Sequence, residues 1–67
     1  MEISARNQLP GTITRIALAE VMAEVTLDVG GQEVVAAVTR GSVERMGLKE
    51  GDTVTAIIKA TEVMIGR

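Results

Sequence analysis

Between residues 20 and 29 the chain alternates, with Val21, Ala23, Val25, Leu27 and Val29 interleaved with Met22, Glu24, Thr26 and Asp28. A period of two sustained over ten residues predicts a strand with one buried face. Gly30-Gly31 follows, a pair able to take the positive φ angles of a two-residue hairpin turn, so residues 32–38 are expected to run back as the partner strand. The stretch Val34-Val35-Ala36-Ala37-Val38 is apolar at every position. Such a strand has one face for the core and a second for another element or another chain.

Upstream, Leu9-Pro10-Gly11 breaks the pattern before Thr12-Ile13-Thr14-Arg15-Ile16, a β-branched run that predicts the first long strand, with Pro10 at its edge or start. Downstream, Ser42 is placed to cap a short helical turn, Val43-Glu44-Arg45-Met46, closed by Gly47 before Leu48. Lys49-Glu50-Gly51-Asp52 reads as a turn. Two further strands are expected, Thr53 to Lys59 and Glu62 to Ile65. Five short strands with a helical turn between the third and fourth is the order of an all-β, OB-type Greek-key barrel. Residues 1–67 leave room for one domain, without repeat, linker or low-complexity segment.

Composition narrows the chemistry. The chain has no Phe, Trp, Tyr, Cys or His. Disulfides, thiolate nucleophiles, imidazole bases and ordinary zinc or copper sites are therefore excluded, as are aromatic platforms for stacking nucleic-acid bases. A net charge of −2 offers no basic field for nucleic acid or an anionic membrane. No run is long and apolar enough for a membrane span or signal-peptide core, and the reading is of a soluble, cytoplasmic protein. At this size an aliphatic core is marginal without disulfide or metal, so assembly with further copies is expected. No phosphate-loop motif and no nucleophile paired with a base is present, and an enzyme is not expected.

Polar groups outside simple strand alternation fall in three segments: Ser4-Ala5-Arg6-Asn7-Gln8, Thr39-Arg40-Gly41-Ser42 and Lys59-Ala60-Thr61. All three lie at strand ends, where small barrels carry their binding groups. They supply the hydroxyls of Ser4, Thr39, Ser42 and Thr61, the cations Arg6 and Lys59, and backbone N–H groups around Gly41 and Ala60. Donors gathered without carboxylates describe an anion site. Each group also has a plain structural reading: Ser42 as a cap, Thr39 as a strand residue, Lys59 as an edge residue with its head in water, Arg6 as part of a terminus. Pattern alone does not bring the three segments together.

The N-terminal run Ser4 to Leu9 with Gly11, the segment Val38-Thr39 through Ser42-Val43 to Gly47-Leu48, the Glu50-Gly51 turn and the run Lys59 to Ile65 together resemble the molbindins, the small Mop proteins that bind molybdate and tungstate. The resemblance spans nearly the whole chain. It implies an OB-fold Mop (TOBE-like) domain, a homohexamer built as a trimer of dimers, and oxyanion sites between subunits serving intracellular molybdenum storage or homeostasis. By position, the site would draw on Ser4, Arg6, Thr39, Ser42, Lys59 and the adjoining Ala60 and Thr61, with molybdate or tungstate as ligand and no organic cofactor. Many relatives have Ser where this chain has Ala60, which removes one hydroxyl donor. Related domains in regulators and transporter ATPases suggest an alternative role, an oxyanion-sensing module acting through a partner protein.

Overall fold

A computed structural model describes residues 1–67. Four antiparallel strands, β1 (Asn7–Leu18), β2 (Met22–Val29), β3 (Gln32–Thr39) and β4 (Thr53–Ile58), form one sheet in the order β3-β2-β1-β4. The helix α1 (Arg40–Met46) joins β3 to β4, and a 3-10 turn spans Ala60–Glu62. The all-β expectation holds; the fifth strand does not. Residues 62–65 form no strand, because no edge of this chain lies beside them, and Met64 and Ile65 are each 91% exposed. The sheet is thus left open between β3 and β4.

The β2–β3 hairpin follows the alternation from Ala23 onward, whereas Val21, expected on the buried face, lies in the turn before β2 and is exposed. Ala23, Val25 and Leu27 are buried, and Gly30 and Gly31 take φ of 57° and 89°. Both central residues at positive φ match the right-handed twist of the flanking strands, and Asp28 Oδ1 accepts from Gly31 N at 3.0 Å. In β3 the inward Val34, Ala36 and Val38 are half-buried while Val35 and Ala37 stay exposed, so the second apolar face meets nothing within this chain.

β1 departs from expectation. It begins at Asn7, five residues before the predicted start, so Pro10 is the fourth residue of the strand. Proline is tolerated there because residues 7–11 have β4 alone as neighbour, and β2 joins only at Thr12. A bulge between Ile13 and Arg15 inserts Thr14 and reverses the alternation, so that Leu9, Gly11 and Ile13 point inward before it and Ile16 after it. Ile13, the most buried residue, donates its N–H to Asp52 O at 2.9 Å and accepts from Gly51 N at 2.8 Å. The bend lets one strand serve two partners, β4 with its first half and β2 with its second.

The helix cap is Thr39 instead of Ser42. Thr39 Oγ1 accepts from Ser42 N at 3.1 Å, and α1 begins at Arg40. A residue ending a strand already has the extended backbone a cap requires, which explains the earlier start. Gly47 closes the helix as expected, at φ 61°, with Gly47 N donating to Glu44 O and Leu48 N to Val43 O, each at 3.1 Å. Val43 is buried against β2 and β3, and Leu48 packs beside it.

Candidate functional site

The three donor segments resolve into two places. At the N-terminal end of β1, Ser4, Ala5 and Arg6 face Lys59, Ala60 and Thr61 across an open cavity of about 250 Å³. Local hydrogen bonds build this pairing. Asn7 Nδ2 donates to Ile58 O at 3.1 Å, tying the start of β1 to the end of β4. Gln8 Nε2 donates to Ala5 O at 2.7 Å, folding the Ser4–Arg6 segment back on the strand. The 3-10 turn closes through Glu62 N to Lys59 O at 2.9 Å. Composition singled out this segment for its donors, whereas Asn7 and Gln8, the residues that shape it, stood out only as part of the Ser4 to Leu9 run that carries the family resemblance.

No carboxylate lines the cavity. The two ion pairs of the chain, Arg40–Glu44 at 3.9 Å and Lys49–Asp52 at 3.2 Å, both lie elsewhere. Arg6 and Lys59 therefore border one cavity with neither charge compensated, in a chain whose net charge is −2. Two such cations repel each other, and an anion between them removes the repulsion and adds two attractions. Each contact at 4 Å is worth about 1 kcal/mol in bulk water and about 4 kcal/mol at the dielectric of a protein surface.

Thr39 and Ser42 lie at the start of α1. Their hydroxyl oxygens are 2.7 Å apart, and Arg45 Nη2 donates to Ser42 Oγ at 3.5 Å. Two hydroxyls carry two protons, and one is spent between them. One O–H donor is left to face outward, flanked by Arg45.

The sheet holds these two places apart. Asn7 pairs with Ile58 at one end of β1, whereas Thr39 pairs with Met22 beside the other end, where Leu18 pairs with Ala23. A straight strand of this length spans roughly 36 Å, and the longest dimension of the molecule, in which β1 is bent by its bulge, is 34 Å. One copy brings together Ser4, Arg6, Lys59, Ala60 and Thr61, but not Thr39 or Ser42.

Residues 3–65 match the family model described as the TOBE domain. The chain belongs to the molbindin, or Mop, branch of the TOBE-domain family. It is 47% identical over 66 residues to molybdenum-pterin-binding protein 3 of Clostridium pasteurianum, covering 97% of each chain. Among solved structures, a molybdate-binding protein from Sporomusa ovata matches over 100% of both chains with a TM-score of 0.95 and 45% identity. The cytoplasmic molybdate-binding protein ModG, in a form with molybdate bound, matches with a TM-score of 0.85 and 46% identity, covering 90% of this chain and 43% of that one. The molbindin fold of this chain thus includes the open sheet and the two separated donor clusters.

Proposed function

We propose that this chain binds molybdate or tungstate, in the cytoplasm, as a storage or homeostasis protein and not as an enzyme. The observation that carries the reading is the pair of uncompensated cations, Arg6 and Lys59, bordering a cavity with hydroxyl donors and no carboxylate. Relatives matched over 97% and 100% of their length are named for binding molybdenum-pterin and molybdate respectively.

The ligand suits these residues. Molybdate is a tetrahedral dianion whose metal is already saturated with oxygen, so the protein supplies hydrogen-bond donors and charge, with no need for Cys, His or carboxylate ligands. Arg6 offers a planar fork of donors to two oxygens, Lys59 a point charge, and Ser4 and Thr61 neutral hydroxyl donors. The N–H groups of Ala60 and Thr61 open the 3-10 turn, where the first amides have no partner within the turn. Thr39 and Ser42 complete the donor set from a neighbouring copy, since they stand at the far end of β1. A site shared between subunits is also drier, which strengthens each charged contact. Assembly as a hexamer of three dimers accommodates such sites.

Equilibrium dialysis of purified protein against molybdate checks the reading. Uptake at micromolar or lower concentration, at least tenfold tighter than for sulfate, is the expected result. Equal affinity for the two anions refutes it, because cavity size is the feature that separates a larger oxyanion from a smaller one of equal charge.

A further inference from the structure

The two cations of the cavity sit just outside the last rung of the sheet. Asn7 follows Arg6 and pairs with Ile58, which precedes Lys59, and neither Arg6 nor Lys59 belongs to a strand. At this end β1 has β4 alone as neighbour, because β2 joins only at Thr12. Segments beyond a rung that is bonded on one side fray readily, and Arg6 and Lys59 repel each other across the gap. The backbone ladder by itself therefore does not hold the width of the cavity.

Two amide side chains supply what the ladder lacks. Asn7 Nδ2 donates to Ile58 O at 3.1 Å, a part-buried bond between the positions adjacent to the two cations. Gln8 Nε2 donates to Ala5 O at 2.7 Å and holds the residue between Ser4 and Arg6 against the strand. Successive strand residues point to opposite faces, so the ties act from both sides of β1. Both partners are carbonyl oxygens, which only accept, so each tie needs the amide N–H and a carboxylate of the same shape cannot replace it. Neither amide lines the cavity itself.

We propose that Asn7 and Gln8 are positioning residues that fix the span between Ser4 to Arg6 and Lys59 to Thr61, and so set how strongly the site prefers a larger tetrahedral oxyanion over a smaller one. The inference rests on the oxyanion reading and deepens it. Molybdate and sulfate carry equal charge and equal numbers of acceptor oxygens, so charge does not separate them. Width does: a hydrogen bond has a narrow preferred length, and walls held at the spacing of the larger anion leave the smaller one short of donors on one side. Walls free to move close on sulfate and lose the preorganisation that favours molybdate. Loss of a tie therefore weakens molybdate binding while sulfate binding holds or tightens.

Asn7→Leu and Gln8→Met keep the outline of each side chain and remove the donor. Thr14→Val is the control, since Thr14 Oγ1 donates to Thr26 O at 3.2 Å elsewhere on β1. Competition dialysis of the intact protein, molybdate against sulfate, is expected to show the preference reduced about fivefold by Asn7→Leu, the size of effect that one hydrogen bond supports. A smaller reduction is expected for the exposed Gln8→Met, and none for Thr14→Val. Partial unfolding lowers uptake of both anions together and leaves their ratio intact, so the ratio reads positioning apart from stability. If Asn7→Leu does not fold, Gln8→Met decides, because its bond is exposed and local. A preference that the unmodified protein shows and both variants retain overturns the inference alone, as does an equal loss in Thr14→Val. No preference in the unmodified protein overturns the oxyanion reading and the inference with it.

Discussion

Arg6 and Lys59 are distinguished from the other cations by their place: both border one cavity that no carboxylate lines. Arg40 and Lys49 each have a carboxylate within 4 Å, and Arg45 leans on Ser42 at the start of α1. Removing either unpaired cation deletes one charged contact, so Arg6→Ala and Lys59→Ala are each expected to weaken molybdate uptake by tenfold or more in dialysis. Arg15→Ala, on the outward side of the bulge, is expected to leave uptake unchanged. Equal losses from all three substitutions contradict a localised site. Ala60 lines the cavity with a methyl group, and Ala60→Ser adds a donor at no backbone cost. Its expected effect is uptake tightened severalfold by calorimetry, with no change in melting temperature.

At the scale of elements, close approach and capping set the sensitive positions. A Cβ on Gly11 would meet Asp28 O and Val29 Cγ2, each at 2.8 Å, where β1 crosses the end of β2. The backbone oxygen cannot step aside as a flexible side chain does, so Gly11→Ala is expected to destabilise by about 1–3 kcal/mol in urea unfolding. Thr39→Ala removes the cap of α1 and is expected to cost about 0.5–2 kcal/mol, whereas Thr39→Ser retains most of it. In the turn before β4, Asp52 Oδ2 accepts from Lys49 N at 3.0 Å and its other oxygen faces Lys49 Nζ. Chiefly through that backbone bond, and then through the side chain of Lys49, the Asp52 carboxyl is held below its ordinary pKa of 3.8. A carboxylate with a depressed folded value contributes stability above its unfolded pKa and loses it as pH falls through the folded one. Asp52→Asn is therefore expected to flatten the acid limb of a melting-temperature profile below about pH 4, with a small loss at neutral pH; an unchanged acid limb contradicts the assignment.

At the scale of the whole molecule, the chain by itself is under-buried. Five of 67 residues are buried, and large aliphatics are exposed at Leu18, Val21, Val35, Met46, Met64 and Ile65. A protein completed by its own copies is stabilised by mass action, so its melting temperature is expected to rise with protein concentration. Native mass spectrometry with and without molybdate reads subunit number and bound anions together. A hexamer carrying anions is the expected species, and a monomer that binds molybdate unaided contradicts shared sites.

The hairpin of β2 and β3, the Gly47 helix end and the turn at residues 49–52 were legible in the chain because each rests on local chemistry: alternation, a residue able to take positive φ, a short polar turn. The donor inventory was legible for the same reason, since hydroxyls, cations and missing carboxylates can be counted. What lay beyond reach was everything set by distant partners. Thr14 becomes a bulge because β1 serves β4 and β2 in turn, and Thr39 displaces Ser42 as cap because the strand delivers it in extended form. Residues 62–65 have the composition of a strand but no edge to join in their own copy. Above all, the chain places Ser4 to Arg6 and Lys59 to Thr61 more than fifty residues apart in sequence yet across one cavity, and sets Thr39 and Ser42 at the opposite end of β1. Residue chemistry was enough to describe donors suited to an anion, and the resemblance to the molbindins made that anion an oxyanion. Which of the donors share one cavity followed from strand pairing, because pairing is a contact between remote segments and no local pattern encodes the distance between them.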